Sequence, residues 1–190
     1  MKAEWLDVVT EAVNQQKNSK RDEPFILAID GQSASGKTTL GEKIAERYGG
    51  NLFHMDDFFL QPAQRTGKRL SEIGGNVDYE RFAQVLSQIK EGKEIEYQVY
   101  NCKKQCLGEQ ERIRPVHWNI VEGSYSMHPY FGDCYDLKIV VTIDREAQKE
   151  RILERNGREM LPRFLEEWIP KENEYLNAFQ IFEKADIILK

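Results

Sequence analysis

The sequence predicts an α/β fold of the P-loop NTPase type, with a mostly parallel, doubly wound sheet flanked by helices. Short apolar runs suited to buried strands alternate along the chain with segments of helical periodicity. Directly after the first apolar run, residues 31–38 read GQSASGKT and match the phosphate-binding pattern G-x-x-x-x-G-K-[ST]. The motif requires a strand before it and a helix after it, and both are predicted here. We therefore expect a single P-loop domain over residues 1–190.

The composition is that of an ordinary globular protein. Hydrophobic residues make up 40% of the 190 and charged residues 31%, and the formal net charge of −5 argues against a general nucleic-acid binder. No apolar run approaches the roughly 18 residues of a membrane span, so we expect no membrane partner. Asp7, Glu11 and Asn14 interrupt the N-terminal segment where a signal peptide would need an apolar core. The three cysteines predict no disulfide framework, and we expect a cytoplasmic protein.

In the first half of the chain, the periodicity of the apolar residues predicts most elements. Trp5, Val9 and Val13 recur at helical spacing before the first strand, and the pair Gly49-Gly50 ends the helix that the motif opens. Pro62 and several glycines interrupt the stretch before Asp78, which predicts a long surface loop. The predicted order is helix 3–17, connector 14–23, strand 25–30, helix 37–48, strand 52–55, loop 58–77, and helix 78–90 with Asp78 as its cap.

The second half is predicted to add a hairpin, two core strands and a helical C-terminal region. Alternating residues on either side of Gly108 predict a hairpin that projects from the sheet as an insertion over residues 94–116. The pair Asn156-Gly157 breaks one helix, and Pro162 and Pro170 lie within the next helical region. The predicted order is hairpin strands 95–102 and 112–116, strand 117–121, strand 137–143, helix 144–155, helical region 159–184 and strand 187–189.

The phosphate-binding motif predicts a nucleoside triphosphate with Mg²⁺ as its ligand. Backbone N–H groups of such a loop ring a phosphate, aided by the positive end of the following helix, and its glycines let the backbone approach closely. We expect Lys37 to bind the β- and γ-phosphates and the Thr38 hydroxyl to bind Mg²⁺. ATP is the expected cofactor, with GTP left open. The predicted cofactor-binding residues in the loop are Gly31, Ser33, Ala34, Ser35, Gly36, Lys37, Thr38 and Thr39.

Acidic residues follow two of the predicted core strands. Carboxyl ends of parallel strands form one edge of the sheet, where ligands of open α/β sheets bind. Asp56 is placed there to accept a proton from an attacking hydroxyl, and Glu122 to bind Mg²⁺ alongside Thr38. For Asp57, a functional and a structural role are equally open, and His54 is interpreted as a structural residue at a strand end.

Four arginines near the C-terminus are predicted to form a lid, over about residues 151–165. Arg151, Arg155 and Arg158 would share one helical face if the helix continued, and like charges so placed repel unless an anion lies between them. A triphosphate would be that anion. We expect Arg155 and Arg158 to bind it, Arg158 to neutralise charge on the moving phosphoryl group, and Arg163 to contact the acceptor. Ion pairing with Glu150, Glu154 and Glu159 is the structural alternative.

Carboxylate, amide and aromatic side chains are predicted on the acceptor side of the site. Asp78, Tyr100 and Asn101 suit a sugar and a flat base, and Tyr79 and Tyr97 lie nearby in the sequence. The structural alternative is a half-buried face of the hairpin, on which alternating tyrosines are equally common.

These residues together resemble the uridine kinase / phosphoribulokinase family of P-loop kinases. The resemblance lies in the motif GQSASGKTT, in DDFF at residues 56–59, in a strand that ends in Glu122-Gly123, and in the arginine-bearing lid. It implies transfer of the ATP γ-phosphate to a hydroxyl, most simply the ribose 5′-OH of a nucleoside. Asp56 would be the catalytic base, and Asp78 would hold ribose hydroxyls. Tyr100 and Asn101 would lie near the base.

The sequence departs from the uridine kinase pattern on the acceptor side. Tyr79-Glu80-Arg81 follows Asp78 where those kinases carry His-Pro-Asp-Ala, and the hairpin has Asn101 in place of Asp. The acceptor therefore stays open among a uridine- or cytidine-like nucleoside, a sugar, a pantothenate-like molecule and nicotinamide riboside. A nucleotide-dependent regulatory or assembly ATPase is the alternative from another class. Whether the chain forms a homo-oligomer is also open.

Overall fold

A computed structural model describes residues 4–16 and 23–190 of the chain. The N-terminal helix, predicted for residues 3–17, is observed over Glu4–Gln16. Residues 3 and 17, and residues 17–22 of the predicted connector, lie outside the described residues.

Seven strands and a series of helices are observed in the described part of the chain. The strands are β1 Phe25–Gly31, β2 Asn51–His54, β3 Ile95–Asn101, β4 Cys106–Ile113, β5 Trp118–Glu122, β6 Leu137–Val141 and β7 Ile187–Leu189. The helices are α1 Glu4–Gln16, α2 Lys37–Tyr48, α3 Gly67–Leu70, α4 Tyr79–Lys90, α5 Arg145–Asn156, α6 Leu161–Arg163, a π-helical turn Phe164–Trp168 and α7 Ile169–Ala178. No helix among the described residues is both long enough and apolar enough to cross a membrane.

Five strands form one parallel sheet in the order β2-β5-β1-β6-β7. Every neighbouring pair in it is parallel, which confirms the predicted doubly wound α/β fold. In the register of the sheet, Glu122 at the end of β5 lies beside Ile29 of β1 and His54 of β2. The ends of three strands therefore bring the phosphate-binding loop, Glu122 and the segment after β2 to one edge of the sheet.

The core lies on both faces of this sheet, and β1 is buried along its whole length. Ile26 and Ala28 face a core that α4 and α7 complete. Leu27 and Ile29 face a second core, to which α1 and α2 contribute. Because both faces of β1 are covered, the strand reads as a continuous apolar run. The loop that follows it therefore starts from a rigid position.

Three predicted elements differ from the observed ones, and the first is the loop predicted for residues 58–77, within which α3 Gly67–Leu70 forms. The second hairpin strand, predicted for residues 112–116, is β4 Cys106–Ile113, and Gly108 lies within it. Its residues are mostly exposed and polar, so the alternation of apolar residues did not reveal it. The helical region predicted to reach residue 184 ends at Ala178, and it passes through the π-helical turn Phe164–Trp168.

We predict that Gly31→Ala destabilises the fold far more than Gly49→Ala. A Cβ on Gly31 would lie 2.1 Å from the backbone oxygen of Val141, at a φ of +130°. A Cβ on Gly49 would meet nothing within 4 Å, so only its left-handed φ of +63° opposes the change. Urea unfolding should show a loss of more than about 4 kcal/mol for Gly31→Ala and about 1–2 kcal/mol for Gly49→Ala. Equal losses would contradict the close approach at Gly31.

Candidate active site

The phosphate-binding loop forms a ring of free N–H groups between β1 and α2. Gly31 and Gly36 adopt φ angles of +130° and +105°, and Ala34 adopts a left-handed φ of 61°. Among the described residues, the N–H groups of Ala34, Gly36, Lys37 and Thr38 find no hydrogen-bond acceptor. Successive unpaired N–H groups at the start of a helix form a binding site for an anion.

Lys37 lies within this loop rather than in solvent. The residue is 7% exposed, and its ammonium donates to the backbone oxygens of Gly31, at 2.9 Å, and Gln32, at 2.8 Å. The positive charge is therefore held beside the free N–H groups, where it would meet the oxygens of a bound phosphate.

Side chains from α5 hold the outer side of the loop. Gln148 Nε2 donates to the backbone oxygen of Ser33 at 3.0 Å, and Arg151 Nη1 donates to that of Ala34 at 3.1 Å. Hydrogen bonds to these carbonyls fix the orientation of the peptide groups, and hence of the N–H groups in the loop. Sequence reasoning missed both contacts. The predicted alternative, ion pairs between the arginines and Glu150, Glu154 or Glu159, is not observed among the described residues.

Glu122 at the end of β5 joins the loop to β2. Its two oxygens lie 3.2 and 3.1 Å from Thr38 Oγ1, and Oε1 lies 2.6 Å from His54 Nδ1. The sharp exit after this strand requires Gly123, because a Cβ there would lie 2.8 Å from Met55 Cβ. The hydrogen bond to Glu122 raises the pKa of His54 above its ordinary value. His54 is thus part of the site, although sequence reasoning treated it as structural only.

Asp56 and Asp57 lie in a 3₁₀ turn, Met55–Phe58, that follows β2. Asp56 is exposed to solvent, yet the protein around its carboxyl partly desolvates it. That desolvation, together with the negative charge of Glu122, raises the pKa of Asp56. The positive charges of Lys37 and Arg155 oppose the rise, so all these groups act on one opening. The backbone oxygen of Asp57 accepts a hydrogen bond from Arg81 Nη2 at 2.8 Å.

Asp78 is 4% exposed, and both of its oxygens are hydrogen-bonded. It caps α4, as predicted, through a bond from the Arg81 N–H at 3.1 Å, and Gln64 Nε2 donates to its other oxygen at 3.0 Å. Arg81 Nε lies 3.5 Å from the same carboxylate. An acceptor hydroxyl would therefore replace or share the bond from Gln64.

The hairpin packs on the segment that follows β2, where Tyr97 stacks on Phe58 at 5.1 Å and Tyr100 lies edge-on to Phe59 at 6.5 Å. Tyr100 accepts a hydrogen bond from Arg65 Nη2 at 2.6 Å, and Arg65 also binds Gln105 at 2.9 Å. Desolvation raises the pKa of Cys102 at the hairpin tip, and the negative charge of Asp56 adds to the rise. The Asn101 side chain holds the hairpin turn instead of facing outward. Its oxygen accepts from the N–H groups of the next residues, at 3.0 and 2.9 Å.

The predicted lid arginines are not equivalent. Helix α5 ends at Asn156, at the predicted break, so Arg158 lies beyond it and the condition for one helical face shared by Arg151, Arg155 and Arg158 is not met. Arg155 Nε donates to Asn156 at 2.8 Å while its charge acts on Asp56. Arg163 pairs with Glu167 at 3.2 Å and stacks on Trp168, 4.8 Å from the ring centroid. Contact of these arginines with a ligand stays a prediction.

The groups that the structure gathers fit a triphosphate with Mg²⁺. Free N–H groups and a buried ammonium suit phosphate oxygens, and a hydroxyl and a carboxylate lie beside them at Thr38 and Glu122. Mg²⁺ is bound in such sites by one or two protein oxygens together with the phosphates and water. A bound Mg²⁺ would neutralise charge on the phosphates, and Thr38 and Glu122 would hold it.

Comparisons with known proteins agree with this geometry. The model of a family described as phosphoribulokinase / uridine kinase matches residues 26–160. A uridine kinase of Ligilactobacillus salivarius is 26% identical over 147 residues, which cover 73% of this chain and 69% of that protein. Uridine kinase-like protein 4 of Arabidopsis thaliana is 24% identical over 150 residues, which cover 73% of this chain but 32% of that protein. The chain thus spans about a third of this longer relative.

A solved structure shares the fold over nearly the whole chain. It is described as a possible uridine kinase from Bacillus stearothermophilus, and it superposes with a TM-score of 0.72 over 97% of each chain. The two sequences are 19% identical, so the likeness concerns the fold.

We predict that Glu122→Gln lowers the pKa of His54. The carboxylate that stabilises the protonated imidazole is lost in this variant, and with it the cause of the raised pKa. In the unaltered protein, the ion pair stabilises the fold at low pH and this contribution is lost as the pH rises through the folded-state pKa of His54. NMR titration of the imidazole resonances measures the shift.

His128 provides an internal control for this titration. It lies apart from Glu122, with its ring nitrogen 3.1 Å from the backbone oxygen of Ile73, and burial lowers its pKa. The resonance of His128 should titrate identically in both proteins. An unchanged His54 titration in Glu122→Gln would contradict the pairing.

Proposed function

This chain belongs to the phosphoribulokinase / uridine kinase family, and on that premise we propose that it is a kinase that transfers the γ-phosphate of ATP to a hydroxyl of a small molecule. The observation that carries the proposal is the meeting of three features at one sheet edge. These are the unpaired N–H groups of the loop, the pair Thr38–Glu122, and the carboxylate of Asp56 across the opening. Phosphoryl transfer needs mainly positioning and charge stabilisation, which these groups supply.

Each group has a distinct role in the proposal. The loop and Lys37 hold the phosphates, and Thr38 and Glu122 hold Mg²⁺. Asp56 orients the acceptor hydroxyl and takes up its proton, a role that its raised pKa favours because a stronger base removes the proton more readily. Arg155 and Arg158 from the lid would neutralise charge on the phosphoryl group and help to exclude water.

We propose the 5′-OH of a nucleoside as the acceptor. Asp78 carries a buried carboxylate, and its backbone N–H donates to the Phe58 oxygen at 2.6 Å. The rings of Tyr97 and Tyr100 pack against Phe58 and Phe59 of the same segment after β2. A carboxylate and aromatic rings suit ribose hydroxyls and a flat base. Two relatives that carry the name uridine kinase or uridine kinase-like support the same class of acceptor.

One observation favours a different alcohol as the second candidate. Both oxygens of Asp78 and the side-chain oxygen of Asn101 already accept hydrogen bonds from the protein itself. An acceptor without a vicinal diol, such as a pantothenate-like alcohol, would leave these bonds in place.

The deciding experiment incubates the protein with ATP, Mg²⁺ and a library of nucleosides, sugars and other alcohols, and identifies phosphorylated products by mass spectrometry. A nucleoside 5′-monophosphate supports the first candidate, and a phosphorylated product of another alcohol supports the second. ATP hydrolysis that no alcohol accelerates would contradict the kinase proposal and favour a nucleotide-dependent regulatory protein.

We predict that Lys37→Ala lowers kcat by roughly 10²–10³-fold, the loss typical of one electrostatic group in a transition state. The variant loses the only ammonium among the described residues that lies inside the phosphate-binding loop. Lys43→Ala is the matched control, because Lys43 is an exposed lysine on the same helix. Its activity should stay within about twofold of the unaltered protein, as for most surface changes. A Lys37→Ala variant with near-normal turnover would refute the mechanism.

We predict that Asp56→Asn lowers kcat by roughly 10²–10⁴-fold, because the amide cannot accept the proton of the acceptor. Asp57→Asn tests the neighbouring carboxylate. The substitution leaves intact the hydrogen bond from Arg81 to the backbone oxygen of Asp57. With Asp56 as the base, Asp57→Asn should keep most of the activity. The reverse ranking in steady-state assays would transfer the role to Asp57.

A further inference from the structure

Glu172 is a buried carboxylate with three hydrogen-bond donors but no cationic partner. It is 5% exposed. Its Oε2 accepts from the Ser33 N–H at 2.9 Å, and its Oε1 accepts from the hydroxyls of Ser33 and of Ser124, the latter at 3.0 Å. None of the ion pairs found within residues 4–16 and 23–190 includes it. Burying a carboxylate is costly unless its hydrogen bonds are well made, so its position calls for a role.

The three donors and Glu172 come from segments that the proposed reaction uses. Ser33 belongs to the phosphate-binding loop, and Ser124 follows Glu122-Gly123 at the end of β5. Glu172 itself lies in the first turn of α7, directly after the lid region and its π-helical turn Phe164–Trp168. One carboxylate thus connects the loop, the segment after Glu122 and the helix that follows the lid region.

A second contact one turn further along α7 strengthens this connection. The Tyr175 hydroxyl donates to Asp30 Oδ2 at 2.6 Å, and Asp30 directly precedes the loop. Asp30 also accepts from the N–H groups of Gly31, at 2.6 Å, and Met127, at 2.8 Å. Helix α7 is therefore bonded to the start of the loop at two successive turns.

The bonds to Glu172 determine which N–H groups of the loop stay free. The Ser33 peptide is held on both sides, by Glu172 at its N–H and by Gln148 at its carbonyl. With that peptide fixed, the N–H groups that find no acceptor among the described residues include those of Ala34, Gly36, Lys37 and Thr38. Without Glu172, the Ser33 peptide could rotate, and the ring that receives the phosphates would lose its shape.

We propose that Glu172 is a positioning residue that shapes the phosphate-binding loop from helix α7 and thereby sets the affinity for ATP. The proposal rests on the proposed function, since it concerns the same ATP site. Glu172 acts through hydrogen bonds and not through its charge. A glutamine can reproduce these bonds, because its oxygen accepts from the Ser33 N–H and its amide donates to the two hydroxyls.

The test compares the affinity for ATP with Mg²⁺, measured by calorimetry without any acceptor, among variants at one position. Glu172→Ala should weaken binding by at least about tenfold, the equivalent of one lost hydrogen bond to a charged group. Glu172→Gln should stay within about threefold of the unaltered protein, a difference below one typical hydrogen bond. Glu174→Ala is the matched control, because Glu174 is exposed on the same helix, and it should bind like the unaltered protein.

Glu172→Asp covers the case in which Glu172→Ala does not fold. It keeps the charge but withdraws the carboxylate by one methylene, so it should bind ATP as weakly as expected for the alanine variant. Kinetics add a further readout, since the KM for ATP should rise more than the KM for the acceptor.

Three results would overturn the proposal. They are unchanged ATP affinity in folded Glu172→Ala, unchanged affinity in Glu172→Asp, or a glutamine variant that binds no better than the alanine variant. Failure of the proposed function can be distinguished from failure of this proposal. An unaltered protein that binds ATP but phosphorylates no alcohol would contradict the kinase function, and the ATP affinities of the variants could still be compared.

Discussion

At the end of β1 the backbone of Gly31 lies so close to the Val141 carbonyl that a Cβ would sit 2.1 Å from its oxygen. The chain leaves the sheet at this point with a φ of +130°, which side-chain-bearing residues rarely adopt. Since β1 is buried on both faces, the bend has a fixed position, and the N–H groups that follow it enter the opening at the sheet edge. The anion-binding character of the site follows from this contact between two neighbouring strands.

Parallel strand order then supplies the remaining chemistry. Because β5 lies between β2 and β1, Glu122 comes next to both Thr38 and His54. The turn after β2 adds Asp56 to the same edge, and Arg155 at the end of α5 lies near enough for its charge to act on Asp56. Desolvation raises the pKa of Asp56, the negative charge of Glu122 adds to the rise, and the nearby positive charges of Lys37, His54 and Arg155 oppose it.

Patterns of neighbouring residues were sufficient to predict the elements that depend on residues close together in the chain. The parallel sheet follows from apolar runs that alternate with helices, and the cap of α4 follows from an Asp placed before an amphipathic segment. The polar strand β4 and the role of Asn101 in its turn were missed. An exposed strand shows no alternation of apolar residues. Asn often forms turns, but the resemblance to uridine kinases placed Asn101 near the base of a nucleoside instead. Contacts such as Arg151–Ala34 and Glu172–Ser33 join residues more than 100 positions apart, and no local pattern predicts them. For Glu172, the available signal was a charged residue on the apolar stripe that Tyr175 and Leu176 continue.

The central claim is that the loop at residues 31–38 is shaped to hold a polyphosphate beside a divalent cation. Isothermal titration calorimetry of the purified, folded protein tests it most directly, with ATP and GTP each added in the presence and absence of Mg²⁺. We predict saturable binding of a nucleoside triphosphate at one site per chain, tighter when Mg²⁺ is present. Absence of binding for both nucleotides with Mg²⁺, in protein shown to be folded by circular dichroism, would contradict the account.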